Sequence, residues 1–415
     1  MGQMSAIAEP LRAGRIRRDG FAYCPDDLCR RAGDLATLAH KVAEANERLG
    51  ALAPELVDAL HAGGNFGMWI PRAQGGLELP PTDSLRLIED VSYADGSTGW
   101  VLMAAALSTG TGAAYLEPEI SDRYFGGTRF PVIAGQGGPM GKAVATEGGY
   151  LLSGYWTYGS GVKHADYTHS GALVFEADGK PRLDAKGVQQ TRIFVAPCSQ
   201  FEFIDNWDVM GLRATGSIDY KGEGIFVPEG ATHITDCTTP RQGGTLFYLG
   251  IRGLSSLGHT GFTLGLGRRL LDEIATIAQS KVNRLGRLGD SESFLEKYGS
   301  AEAKLRAARA LAYETWADIE ATLERGERLG KRQWTMLRLA LNHVTWTTAE
   351  ISNTVFYAGG GNALRAGALQ RCFRDMHGAT QHLTSSVAVL QDCGRELSGA
   401  TPNKVWGFSR LVDPD

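Results

Sequence analysis

FRDMHGATQHLTSS, running from Phe373 to Ser386, is the stretch around which the rest of the chain is organised. An Arg-Asp pair precedes two histidines. With no proline and enough helix formers, the stretch reads as helix. On one helix His377 and His382, five residues apart, stand about 140° apart around the axis. They cannot then share a metal as an i, i+4 pair does, and no metal site is expected. A neutral imidazole beside a reactive centre is the usual general base near pH 7. A histidine merely satisfied in a core or at the surface is the plainer alternative.

Three stretches upstream share the helical period: LSSLGHTGFTLGLGRRLLDEIATIAQSKVNRL, SFLEKYGSAEAKLRAARALAYETWADIEATLERG and WTMLRLALNHVTWTTAEISNTVFYAG. Four long helices with short links predict an antiparallel bundle over 237–415. From about Pro25 to Tyr115 the pattern is helical too. DDLCRRAGDLATLAHKVAEANERLG and APELVDALHAGG carry apolar residues at three- and four-residue intervals and close near glycine. SLRLIEDVSYADGSTGWVLMAAALSTGTGAAYL reads as a helix, a Gly-Ser break, and a second helix apolar on every side, hence buried. Between 131 and 236 the language changes to short β-branched and aromatic runs split by Gly and Asp, such as TRIFVAPCSQFEFI. The expected class is therefore α+β: a helical domain over 25–130, a β-domain over 131–236 and the helical bundle, behind a flexible N-terminus at 1–24.

Bulk properties narrow the function. A 415-residue chain is long for one core. Its 43% hydrophobic and 21% charged residues are ordinary for a soluble protein. A formal charge of -4 gives no reason to expect nucleic acid or an anionic membrane as partner. No apolar run approaches the roughly 18 residues of a membrane span, and the basic start has no apolar core behind it, so no secretory signal is read there. Six scattered cysteines without C-x-x-C spacing point to reduced thiols and a cytoplasmic protein.

Several stretches carry candidate chemistry. AGQGGPMGKA, Ala134 to Ala143, fails as a phosphate-binding P-loop, because Ala143 follows Lys142 where a hydroxyl is needed. It reads either as a turn between strands or as a loop whose amides approach a ligand. No G-x-G-x-x-G follows a strand and opens a helix, so no dinucleotide-binding βαβ unit is expected. In YGSGVKHADY, Tyr158 to Tyr167, glycines flank Ser160 directly, which is not a nucleophile elbow. A small hydroxyl with room around it can instead bond a planar heterocycle. WDVMGLRATGS, Trp207 to Ser217, reads as a ligand loop or as an interface loop between the sheet and the helices.

Together these stretches resemble the acyl-CoA dehydrogenase superfamily, from about residue 30 to 400. More specifically they resemble its two-component flavin-dependent monooxygenase branch, which includes p-hydroxyphenylacetate, steroid-catabolic phenol and dibenzothiophene monooxygenases. The matching pieces, in order, are ADGSTGW (Ala94 to Trp100), GPMGKAV, GGYLLSGYWTYGSGVKHADY, WDVMGLRATGS and RDMHGATQH. The resemblance implies an acyl-CoA dehydrogenase-like fold and a chemical divide within it. Dehydrogenases of the superfamily use a Glu base at one of two positions, which here align with Leu383 and near Ser255. Neither is a carboxylate. The monooxygenases resemble this chain in carrying a histidine at His382.

The resemblance further implies reduced FMN or FAD with O2, delivered by a separate NAD(P)H:flavin reductase. A C4a-(hydro)peroxyflavin would then hydroxylate, or oxidise at N or S, an aromatic or polycyclic small molecule. By resemblance His382 and Ser160 are the catalytic residues, and Gln136, Ser160, Trp207, Arg284, Gly360 and Gly361 hold the flavin. Ser108 and His377 lie by the substrate. Several hydroxylases of the branch carry a His where this chain has Ser108, which argues against a simple phenol. A homotetramer is implied, with a dimer as the other arrangement. The alternative is a flavin-dependent acyl-CoA dehydrogenase or oxidase with an unidentified base.

Overall fold

The computed structural model describes residues 26–184, 187–283, 286–408 and 410–414. The N-terminus read as flexible and Arg284 lie outside the described residues.

The chain opens with helices α1 (Asp26–Leu49), α2 (Pro54–Ala62), α3 (Pro81–Ala94), α4 (Gly96–Tyr115) and α5 (Pro118–Phe125). The break between α3 and α4 falls at Asp95. Its Oδ2 accepts from Thr98 N at 3.0 Å and from Thr98 Oγ1 at 2.6 Å, so it is the N-cap of α4. All of α4 is buried except Ala104 and Leu107, as its sequence required. Helix α5 was not read from the sequence.

The β-part is one seven-stranded sheet, made of β1 (Ile133–Thr146), β2 (Gly149–Trp156), β3 (Tyr167–Phe175), β4 (Thr191–Pro197), β5 (Glu202–Ile204), β6 (Asp219–Pro228) and β7 (Thr232–Ile234). The order is β5-β6-β2-β1-β3-β4-β7, antiparallel throughout except where β1 runs parallel to β3. Its core stacks Trp156 on Tyr220, with ring centroids 5.3 Å apart and both side chains fully buried. The AGQGGPMGKA segment is neither a turn nor a free loop but part of β1. Its register on β3 jumps between Gln136↔Ser170 and Gly141↔Ala172, so residues 137–140 bulge out of the ladder.

The bundle is α6 (Gly250–Ser280), α7 (Glu292–Glu324), α8 (Lys331–Gly359), a short α9 (Gly361–Leu364), α10 (Ala368–Ala379) and α11 (Val387–Leu397). Helix α6 packs closely on α3, because a side chain at Gly265 would meet Glu89 O at 2.2 Å. Buried Glu89 on α3 is held by Arg309 Nε at 2.7 Å and Tyr313 OH at 2.6 Å on α7. The N-terminal helices and the bundle thus share one apolar core. No helix among the described residues is long and apolar enough to cross a membrane.

The opening stretch departs from expectation. It is not one helix: α10 ends at Ala379, and His382 caps a single 3-10 turn at Leu383–Ser385. Ser386 then caps α11 by accepting from Ala388 N at 3.2 Å. Two side-chain caps in five residues compete with the helix ladder and win. The angular separation expected of His377 and His382 on one helix therefore does not apply.

Candidate functional site

The Arg-Asp pair explains itself first. Arg374 Nη1 donates to Met210 O at 2.7 Å, and Asp375 Oδ1 accepts from Leu212 N at 2.6 Å. Both grip the 207–217 loop between β5 and β6, which is therefore the bridge between sheet and helices. Contact is backbone to backbone, since a side chain at Gly211 would stand 2.1 Å from Arg374 O. Leu212 is forced to φ 55°, a strained conformation for a leucine. Its carbonyl accepts from Trp207 Nε1 at 3.1 Å and from Thr215 Oγ1 at 2.8 Å.

That loop delivers a chain of hydroxyls. Thr215 Oγ1 lies 2.7 Å from Ser217 Oγ, Ser217 Oγ lies 2.8 Å from Ser160 Oγ, and Trp100 Nε1 donates to Ser160 Oγ at 3.0 Å. Trp207 meets Tyr158 edge-on at 5.9 Å. Gln136 joins the same turn, with Nε2 donating to Thr157 O at 3.2 Å while Oε1 accepts from Gly138 N at 2.9 Å, across the β1 bulge. Ser160, Trp207 and Gln136, distant in sequence, are thus brought together.

Trp100 connects this group to His382. The rings of Trp100 and His382 meet edge-on at 5.8 Å. His382 is half-buried, and burial, followed by the neighbouring His259, holds its pKa well below 6.5. The ring is neutral at pH 7. Its Nδ1 accepts from Thr384 N at 3.4 Å and lies 2.8 Å from Thr384 Oγ1. A backbone N–H can only donate, so this cap assigns a bare Nδ1 and a proton on Nε2.

Sequence reasoning missed His259. It sits on α6 with its ring stacked on His382, centroids 4.1 Å apart and planes 29° apart. Its signal was faint: one imidazole inside the apolar run LSSLGHTGF. Trp100 was quoted only within a motif, yet it touches Ser160, His259 and His382 together.

Other expected residues lie apart from this group. Ser108 is buried on α4, eight residues beyond Trp100 and so about 12 Å along the helix. His377 packs on Phe373 at 4.4 Å, and its buried Nε2 has no hydrogen-bond partner among the described residues. Gly360, at φ 51°, and Gly361 join α8 to α9, ahead of α10, whose 12 residues span about 18 Å. Lys281 Nζ caps α8 there, donating to Ala358 O at 3.0 Å and Gly359 O at 2.8 Å. Leu383 is exposed, and Ser255 supplies the carbonyl that His259 Nδ1 meets at 2.7 Å. Among the described residues, neither position aligned with a dehydrogenase base holds a carboxylate.

The chain matches the model of the acyl-CoA dehydrogenase N-terminal domain over residues 32–127 and that of the C-terminal domain over residues 257–387, together more than half its length. It is 29% identical to indole-3-acetate monooxygenase of Pseudomonas putida, over 91% of this chain and 98% of that protein. It is 26% identical to the oxygenase component of p-hydroxyphenylacetate 3-hydroxylase of Acinetobacter baumannii, over 88% of this chain and 87% of that one. Among solved structures, XiaF from Streptomyces sp. in complex with FADH2 and glycerol superposes with a TM-score of 0.80. That match spans 95% of this chain and 98% of XiaF at 21% identity.

Proposed function

The chain belongs to the acyl-CoA dehydrogenase family, and on that premise we propose that it is the oxygenase component of a two-component flavin-dependent monooxygenase. It uses reduced FMN or FAD and O2 to hydroxylate, or to oxidise at N or S, an aromatic or polycyclic small molecule. One observation carries this reading: where a dehydrogenase needs a carboxylate base, the site offers a half-buried neutral imidazole joined through Trp100 to the Ser160 hydroxyl.

The residues present fit a flavin. The Ser160–Ser217–Thr215 hydroxyls, Trp207 and the bulged Gln136 gather donors, an acceptor and a flat ring around one turn. When bound, the flavin supplies the activation of oxygen. Ser160 is the hydroxyl that holds its ring, with Gln136 and Trp207 beside it. His382 presents its Nε2–H to oxygen and so donates a hydrogen bond before it can act as a base. Serving as a base at Nε2 requires the other tautomer, with the proton on Nδ1 and the Thr384 hydroxyl turned to accept its hydrogen bond. The apolar face of α4 and the bundle keep water from the site. We place Ser108 and His377 toward the substrate, and Gly360, Gly361 and Arg284 toward the flavin phosphates, to be completed by a second subunit of a homotetramer or dimer. A separate NAD(P)H:flavin reductase supplies the reduced flavin, in the cytoplasm.

The test is His382→Ala, loaded with reduced flavin and exposed to oxygen with a panel of aromatic substrates. Product per flavin oxidised is expected to fall by roughly a hundredfold or more, as for loss of a proton-transfer group, with hydrogen peroxide taking its place. Reduced-flavin affinity is expected to hold within about threefold, because His382 is not among the residues given to the cofactor. Unchanged product per turnover would sink the assignment. Anaerobic reduction of bound oxidised flavin by an acyl-CoA would establish the dehydrogenase alternative instead.

A further inference from the structure

We infer that His259 is a positioning residue for His382: its ring is the flat wall that fixes the plane of His382 and keeps that imidazole presenting Nε2–H. The inference rests on the reading above, in which His382 faces the reacting centre.

The case begins with what His382 lacks. It stands on a one-turn cap between two helices, beside an exposed Leu383, and no regular helix fixes its ring. A side chain in such a segment keeps one orientation only if neighbours impose it. Two neighbours do. Trp100 stands edge-on at 80°, anchored through its N–H to Ser160. His259 lies face-on at 29°. Trp100 also stands edge-on to His259, at 5.0 Å and 87°, and to Phe262, at 5.1 Å and 86°, which closes the slot.

His259 is itself fixed. Its Nδ1 meets Ser255 O at 2.7 Å, and since a carbonyl only accepts, the proton sits on Nδ1. The other nitrogen, Nε2, is buried and has no hydrogen-bond partner among the described residues. Burying a bare imidazole nitrogen is unfavourable, and an apolar side chain at 259 would avoid it. Phe262, Leu264 and Leu266 nearby show what this helix ordinarily uses.

The pair is also electrostatically exclusive. Two protonated rings about 4 Å apart in a poorly hydrated slot repel each other, so at most one takes a proton. Around the slot, α10 carries Arg371, Arg374, Asp375 and His377, and α8 carries His343 on its exposed side. After burial, a protonated His259 lowers His382 further. Burial likewise lowers His259 to about 4. Burial above all holds His382 neutral across the range where the enzyme would work.

The experiment follows the imidazole signals of His382 by NMR from pH 5 to 8 in the flavin-free protein, beside the pH profile of product per reduced flavin. Wild type, His259→Ala and His259→Phe are compared. In wild type His382 is expected not to titrate. In His259→Ala it is expected to begin titrating within the window, and product yield should fall about tenfold at pH 6 with less loss at pH 8. His259→Phe restores a flat ring and is expected to return both the silent titration and most of the yield. A His259→Ala protein whose His382 remains silent and whose profile parallels wild type would overturn the inference. A His259→Phe protein as impaired as His259→Ala would overturn it too. If His382 responds as expected while no variant, wild type included, forms an oxygenated product, the positioning role stands and the monooxygenase reading falls.

Discussion

Two polar pairs flank the C-terminal end of α10, all buried but the half-buried His382, and burial drives them in opposite chemical directions to the same electrical result. On one side Asp375 lies near Asp95, with Arg371 Nε 3.7 Å from Asp95 Oδ1. Burial, against the Leu212 hydrogen bond and with the help of Asp95, pushes Asp375 up to about 7. On the other side burial lowers His259 to about 4 and His382 well below 6.5. Acids rise and bases fall, so both pairs tend to neutrality. They differ in their partners. Asp95 caps α4 and Asp375 holds the backbone of the 207–217 loop, whereas the imidazoles are held mainly by rings and keep one nitrogen each for other use. The carboxyl pair fastens the fold, whereas in the imidazole pair His382 is left available for chemistry.

Acid should break this comparison most strongly. A base whose pKa is lower in the folded state stabilises fully above its unfolded pKa and loses that contribution as pH falls through the folded value. His233 and His259, both near 4, and His169, near 3, are buried neutral. Each can contribute up to roughly 3 kcal/mol of destabilisation between pH 6.5 and 4. Denaturant midpoints measured across that range should drop steeply, with proton uptake on unfolding. A flat profile would show that these rings are hydrated.

Removing the fastening carboxyl comes next. Asp375→Ala leaves Leu212 N–H unsatisfied in a buried, strained loop, and should cost about 2 to 4 kcal/mol in urea titrations near neutral pH. Asp375→Asn probes the same site with the opposite sign. The raised pKa means wild-type Asp375 contributes fully below about 4 and loses its contribution as pH rises through about 7. Asparagine still accepts from Leu212 without ionising. It should match wild type near pH 4 and exceed it by about 2 to 4 kcal/mol at pH 8. A variant destabilised equally at both values would place the carboxyl charge, not its oxygen, at the centre of the hold. The smallest effect belongs to Ser160→Ala. Loss of one hydroxyl from a connected chain should cost about 1 kcal/mol, and isothermal titration should show reduced-flavin affinity about tenfold weaker.

Much of this was legible in the chain, for reasons that differ by region. Helix α4 declared itself because a helix apolar on all faces can only be interior, and ADGSTGW carried its cap in plain view. The strands followed from β-branched runs between glycines. The bulge in β1 did not, because GGPMG looks the same whether it turns between strands or swells within one. His382 could be singled out, but its position on a cap could not be while the stretch was read by helical period alone. Ser386 before VAVL was the neglected start signal. His259 was hidden for a geometric reason: its partner lies 123 positions away, and nothing local distinguishes an imidazole that stacks from one that is merely buried.

The seating of Glu89 against Arg309 and Tyr313 has a consequence for how the protein is made. Helix α4 is finished at Tyr115, but the α6 surface that covers it ends at Ser280 and the Glu89 partners lie later still. At roughly 5 to 20 residues per second of synthesis, a nearly all-apolar helix waits on the order of ten to thirty seconds at the ribosome for its cover. A trigger for co-translational chaperone capture is thus written into the order of the helices, and a ribosome stalled between Tyr115 and Gly250 should yield a nascent chain that binds such a chaperone until α6 emerges.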